Sequence, residues 1–318
     1  MILYTVLALV TDGAAYLLGH ASFRRHFHLM LSALVLLGPA LSLWASQHSV
    51  FANKRHYLYR AFLSSGCGWT CVLCGSFVLL LSYSCRGRPS LSLRHLSRLA
   101  VAAALWWGVR RGLAVLENAT GSCYQPLAPP SSSDPAASSL AGLGLGSDFR
   151  SSSAAPQPEP PTLLLLREGQ GKAGCVGAGL QWRGYEVSDE TFLLVLCCLL
   201  LAEEMAVFAP YLALAGGRAG PERDGAAVGS PVARVWSALG SVGVCGPLRL
   251  LFLLCVTLLL LWLFLLLCLL AYRPSFPSQL LGGALGCLAW RALYQGWFRQ
   301  TPGWLCPGRP GVGLFIPD

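Results

Sequence analysis

Six histidines, two adjacent glutamates and a pair of cysteines flanking a biased insert are the residues of this 318-residue chain best able to do chemistry. Imidazole titrates near neutral pH, so a histidine can attack phosphorus or hand a proton to a leaving group. The histidines are His20, His26, His28, His48, His56 and His95, and none follows residue 95. Glu203 and Glu204 stand inside an otherwise apolar stretch, Thr191–Leu214. Carboxylates at such depth in a membrane are costly, so at least one is expected to face a protein interior, a polar cavity or a cation. Arg111 is one candidate partner, and a protonated Glu needing none is the alternative. Pro210 follows within two turns and is expected to loosen that helix.

Other patterns carry less. Gly169-Gln170-Gly171-Lys172-Ala173-Gly174 satisfies GxGxxG, but a dinucleotide site needs that turn between a strand and a helix in a βαβ unit. No such unit surrounds it, Lys172 is not followed by Ser or Thr, and a flexible loop is expected. Cys67, Cys71 and Cys74 share a helical face; zinc wants a fourth ligand, none is evident, and packed thiols are expected. No metal or cofactor is expected. Cys123 and Cys175 bracket the insert, and a disulfide between them is reasonable if that loop is lumenal. Asn118-Ala119-Thr120 is a glycosylation sequon that also needs a lumenal loop, with chance occurrence as the alternative.

The elements that must position these groups are membrane helices. Apolar residues make up 54% of the chain and charged ones 12%, about half the usual ~25% of soluble domains. That excludes a soluble enzyme and a disordered chain, and no nucleic-acid partner is expected. The net charge of +9 is almost all arginine, with Lys54 and Lys172 the two lysines. A helix rises 1.5 Å per residue, so about 18 or more apolar residues can cross the hydrocarbon core. The expected fold is an all-α polytopic bundle of about six transmembrane helices. An N-terminal membrane half, 1–123, carries spans near 2–19, 29–46 and 62–85. A C-terminal half, 181–298, carries spans near 191–214, 250–272 and 279–298, with a flexible loop at 215–247 and a tail at 299–318. Leu96–Leu116 holds only a short charge-free stretch before Arg110 and Arg111, and is read as a re-entrant or interfacial helix, with a further span as the alternative. Between the halves, 124–180 is rich in Pro, Ser and Gly and is expected to be disordered. Six spans put both termini on one side and bring residues near 190 and near 278 to the same side. Basic residues crowd several loops, so charge alone does not orient the chain.

From Gln181 the sequence reads QWRGYEVSDETFLLVLCCLLLAEEMAVFAPYLA. With GWT at Gly68–Thr70, RHLSRL at Arg94–Leu99, Arg111, Glu117 and TGSC at Thr120–Cys123, the chain resembles the fat storage-inducing transmembrane family, most of all its type 1 branch. The resemblance covers most of residues 50–298. It implies an endoplasmic reticulum protein with six spans and cytosolic termini that binds diacylglycerol and triacylglycerol and promotes lipid droplet formation. Glu203, Glu204 and Arg111 then become lipid-binding candidates.

The resemblance also implies a distant kinship to lipid phosphatases, with a second branch that cleaves acyl-CoA as a diphosphatase using two lumenal histidines. This sequence departs from both positions. The first falls in VSDETF, where Glu190 replaces histidine; the second falls in RPSFPSQLLGG, where Ser278 is the best match and Pro274 the nearby alternative. Glutamate repels a phosphate dianion, and serine without an adjacent base is a weak nucleophile. His95, amid arginines, suits a headgroup contact better than catalysis. The leading expectation is a non-catalytic lipid-binding protein. The rival is an acyl-CoA diphosphatase whose nucleophile has moved to Glu190, Asp189 or Ser188, and a transporter is a third reading.

Overall fold

The computed structural model describes residues 2–44, 49, 51, 53, 56–86, 89–126, 164–167, 171–217, 231–272, 275–299 and 307–314. In chain order the helices are α1 (Ile2–Gly19), α2 (Ala21–Leu36), α3 (Gly38–Trp44), α4 (Gly66–Arg86), α5 (Pro89–Thr120), α6 (Lys172–Gly177), α7 (Asp189–Met205), α8 (Phe208–Gly217), α9 (Pro231–Tyr272) and α10 (Phe276–Trp290). The strands are β1 (Ser122–Pro126), β2 (Leu164–Arg167) and β3 (Gln181–Arg183). The chain divides into two compact units: Met1–Arg111 with Val187–Asp318, and Gly112–Glu186.

The first unit is built around α7. Four helices are long and apolar enough to cross a membrane: Gly66–Cys85, Leu91–Thr120, Asp189–Leu214 and Gly246–Tyr272. The apolar window of Asp189–Leu214 is 89% buried and that of Leu91–Thr120 only 11%, which makes α7 the central helix and α5 a peripheral one. A helix apolar all round can face lipid or protein, and here 14 of the 17 residues of α7 are buried. This is an all-α polytopic membrane fold.

Side-chain contacts set the helix directions. Thr70 of α4 meets Trp262 of α9, and Phe77 of α4 meets Phe208 at the start of α8 and Phe252 of α9. Ser32 and His28 of α2 meet Cys287 and Trp290 of α10. Helices α4 and α9 therefore run antiparallel, as do α2 and α10. Helix α10 runs parallel to α7 because Gly282 and Gly286 let the two backbones approach: a Cβ on Gly286 would lie 3.0 Å from Val195, and one on Gly282 would collide with the Ser188 carbonyl oxygen.

Several boundaries differ from the expectation. Residues 96–116, expected to be re-entrant or interfacial, lie within one 32-residue helix, α5, that is long and apolar enough to cross. The stretches 2–19 and 29–46 are not two separate straight spans: α1 and α2 bend by 76° across His20 and together pass the same length test. The 279–298 stretch is α10 continued by a π turn, Arg291–Gly296. Of the flexible loop expected at 215–247, residues 218–230 lie outside the described residues, while 231 onward is already α9. Pro231 suits a helix start, and Val232, Val235, Trp236 and Leu239 recur at helical spacing. As expected near Pro210, the apolar segment 189–214 is interrupted: α7 ends at Met205, a turn follows at 206–207, and Pro210 occupies the first turn of α8, where its missing N–H costs little.

The second unit holds an antiparallel sheet ordered β2-β1-β3, with Tyr124 opposite Leu166 on one side and Gln181 on the other. It departs from the disorder expected for 124–180, of which 127–163 and 168–170 lie outside the described residues. Pairing satisfies backbone groups that a free loop would leave to water. The glycine motif's second half, expected to be a loop, forms α6 from Lys172, and Lys172 Nζ donates to Glu117 at 2.6 Å.

Candidate functional site

At the start of α7, Ser188 is the N-cap: its Oγ accepts the Thr191 N–H at 3.2 Å and lies 2.8 Å from Thr191 Oγ1. The Ser188 N–H donates to the Ser278 carbonyl oxygen at 3.1 Å. Ser278 lies in the first turn of α10 and Glu190 in the first turn of α7. The fold therefore gathers Glu190 and Ser278 at one end of two parallel helices. Asp189 and Glu190 complement the positive end of the α7 dipole, and Asp189 pairs with Arg110 at 3.4 Å in a largely exposed bridge. The Ser188 hydroxyl is engaged with a threonine, which is no base at neutral pH. Pro274 lies outside the described residues.

The other end of α7 carries the stronger polar chemistry. Glu203 and Glu204 sit in its last turn, where the helix dipole disfavours a carboxylate, and each is met by an arginine. Glu203 pairs with Arg24 at 2.6 Å near the surface. Glu204 is buried and receives two bonds from Arg98, Nε at 2.8 Å and Nη2 at 2.7 Å. Its Oε1 also accepts the Tyr294 hydroxyl at 2.8 Å. Arg98 Nη1 lies 2.7 Å from His95 Nδ1 and 3.5 Å from the Arg309 carbonyl oxygen, while Arg94 Nε donates to the Pro307 carbonyl at 3.2 Å. The side chains of Arg98 and Glu204 are only 2% and 1% exposed. A bidentate pair with its lone pairs otherwise filled is the form in which a buried ion pair persists.

Arg111, one candidate partner from the sequence, is elsewhere: its guanidinium stacks over Trp107 at 5.3 Å. It lies thirteen residues along α5 from Arg98, which is ~20 Å of helix. His95, expected to contact headgroups from an arginine-rich surface, is instead buried at 1% exposure. It also stands ~20 Å along α7 from Glu190, since its partner Arg98 binds Glu204 fourteen residues on, so it is no base for that end. Sequence reading missed Arg98 and Tyr294. The available signal was Arg98 in RHLSRL, an arginine on the apolar flank of a segment facing a span with two carboxylates.

Within the second unit, Cys123 and Cys175 are joined by a disulfide with Cα atoms 5.8 Å apart. Asn118 is exposed in the last turn of α5, and the Thr120 hydroxyl accepts the Tyr185 N–H at 3.2 Å. Cys67 and Cys71 have their sulfurs 4.0 Å apart and Cys74 is buried. Among the described residues no group of three His, Cys, Asp or Glu side chains is placed to hold a metal ion.

These features define a multi-pass helical membrane protein whose central helix begins at a capped, acidic turn and ends in a buried ion-pair network. The family profile described as "Fat storage-inducing transmembrane protein" matches residues 47–294, and the chain belongs to that family. It is 57% identical over 314 residues to Fat storage-inducing transmembrane protein 1 of Danio rerio, covering 99% of this chain and 93% of the relative. It is 38% identical over 305 residues to the Homo sapiens protein of the same name, covering 96% and 83%. It is 27% identical over 291 residues to Acyl-coenzyme A diphosphatase FITM2 of Mus musculus, covering 91% and 88%. No solved structure matches the chain.

Proposed function

We propose that this chain is an endoplasmic reticulum protein, both termini cytosolic, that binds diacylglycerol and triacylglycerol and promotes lipid droplet formation without catalysis. The observation that carries this reading is the pair Glu190 and Ser278, which stand where the resemblance expects the two diphosphatase histidines. Neither can act as acid and base near neutral pH as imidazole does. Much higher identity to relatives named for fat storage than to one named a diphosphatase supports the same direction. The second reading, an acyl-CoA diphosphatase with altered residues, draws on that lower similarity and would use Glu190, Asp189 or Ser188.

The lipid-facing surface suits the role. Leu250, Leu254, Leu260 and Phe264 of α9 are exposed along a helix that lies in the membrane, where acyl chains are the solvent. Glu203, Glu204 and Arg111 remain the polar groups proposed to serve a glyceride, with Arg98 added as the cation that holds Glu204. Expression in cultured cells is expected to raise droplet number or size, counted by neutral-lipid staining, and Glu190→Ala is expected to leave that rise unchanged. Loss of the rise in Glu190→Ala would make that residue a working part and overturn the non-catalytic reading.

A further inference from the structure

The chain has two asparagines, Asn53 and Asn118, and Asn118 alone stands in an Asn-x-Ser/Thr triplet. Such a triplet arises easily by chance, and becomes a glycan site only when its Asn is exposed on the lumenal side. Asn118 is exposed in the last turn of α5. The rest of its own unit, Gly112–Glu186, packs on other sides of that turn. Lys172 Nζ donates to Glu117 at 2.6 Å, and the Thr120 hydroxyl accepts the Tyr185 N–H at 3.2 Å. Glu117 and Thr120 are three residues apart and share a helix face. Asn118 is turned about 100° from Glu117, so its side chain is left to solvent, with room for a bulky group.

The side of the membrane follows from two features. Cys123 and Cys175 lie in the same unit as Asn118 and are joined by a disulfide. Disulfides persist in oxidising compartments and are rare in the cytosol, where thiols are kept reduced. The second feature is the length of α5. From Arg94 to Asn118 it runs twenty-four residues, ~36 Å, against ~30 Å of hydrocarbon. Its two ends therefore reach opposite faces. At one end, Arg94 and Arg98 hold the tail through the Pro307 and Arg309 carbonyls. At the other, the charge-free stretch ends at Arg110 and Arg111, and Asn118 lies ~10 Å farther on. A cytosolic tail thus goes with a lumenal Asn118, clear of the hydrocarbon.

Resting on the endoplasmic reticulum reading above, we propose that Asn118 carries an N-linked glycan. The donor is an oligosaccharide held on a membrane lipid pyrophosphate. The Asn118 amide nitrogen bonds to the anomeric carbon of that sugar, and the anomeric bond to the pyrophosphate oxygen breaks. The lipid pyrophosphate leaves with the electron pair, and the amide gives up one proton to water. In the finished fold the Thr120 hydroxyl is taken, donating to the Leu116 carbonyl at 2.8 Å and accepting from Tyr185. Attachment therefore precedes the closing of Tyr185 over Thr120. A glycan at this end of α5, with the tail held at the other, makes α5 a true span.

The test expresses the full chain in cultured animal cells and compares its gel mobility before and after peptide-N-glycosidase F. One downward step is expected, and endoglycosidase H should give the same step, because a resident of the endoplasmic reticulum keeps its early, mannose-rich glycan. Asn118→Gln and Thr120→Ala should each abolish the step, and Thr120→Ser, which keeps the hydroxyl, should retain it. Alkylation of the same membranes before and after reduction reports whether Cys123 and Cys175 are bonded. A chain in endoplasmic reticulum membranes, disulfide formed but with no step, overturns the glycan and leaves the location standing. A step that survives Asn118→Gln overturns the site. A step given by the first enzyme but not the second overturns the location and leaves the glycan standing. No step, with both cysteines reduced, overturns the lumenal placement as well. If Asn118→Gln fails to fold, Thr120→Ser against Thr120→Ala still decides.

Discussion

Glu204→Ala is expected to cost about 3–5 kcal/mol, because it strands the Arg98 guanidinium in a site where that side chain is only 2% exposed. Three interactions end together: the two bonds from Arg98 and the one from the Tyr294 hydroxyl. The loss ties four elements at once, since α5, α7, the π turn after α10 and the 307–309 backbone all meet at this cluster. By fluorescence-detected size exclusion after heating, the apparent midpoint should fall by roughly 6–20 °C. The paired change Arg98→Met with Glu204→Leu should recover most of the loss, because an apolar pair of similar volume replaces both charges. A single variant as stable as the parent would mean that Arg98 finds another anion or reaches water. By contrast, the exposed pair of Arg24 and Glu203 belongs to the class worth at most about 1 kcal/mol.

The second large effect is at the α7–α10 contact. Gly282→Leu is expected to cost about 3 kcal/mol, the upper end for overpacking, because the atom its Cβ would meet is the Ser188 carbonyl oxygen. Backbone cannot rotate aside as a side chain can. The same Ser188 is hydrogen bonded to Ser278, so separating the helices would also pull apart the end that carries Glu190. The apparent midpoint should fall by roughly 6–12 °C. The control is Gly108→Ala, where an added Cβ meets nothing within 4 Å; helix propensity alone predicts a gain of up to ~1 kcal/mol. Equal behaviour of the two variants would remove the close approach of α7 and α10 from the account.

What the sequence could and could not reveal follows from register. The membrane character of Thr191–Leu214 was legible because the stretch is apolar but for Glu203 and Glu204. Its central place was not, because Gly246–Tyr272 is still more apolar and yet only 39% buried. The extent of α5 was hidden by Arg94, Arg98, Arg110 and Arg111, which make its apolar core look too short to cross. Arg98 stops counting as a charge once Glu204 is bound to it, and that pairing depends on how α5 and α7 slide past each other. Arg98 and Arg111 lie on the same segment, so composition alone could not choose between them. The sheet in the second unit was illegible for a related reason: β1 pairs with β2 across the long Pro- and Ser-rich insert, and local composition says nothing of such distant partners. The Cys123–Cys175 bridge was easier to anticipate, since both cysteines flank that insert outside the apolar runs.

The most direct test of the central claim is equilibrium binding of diacylglycerol and triacylglycerol to the purified full chain, with acyl-CoA turnover measured on the same preparation. The account predicts saturable binding of neutral lipid, and acyl-CoA cleavage no faster than in a protein-free control, whether or not Glu190 is replaced by Ala. Acyl-CoA turnover that disappears in Glu190→Ala, or a chain that binds no neutral lipid at all, would contradict it.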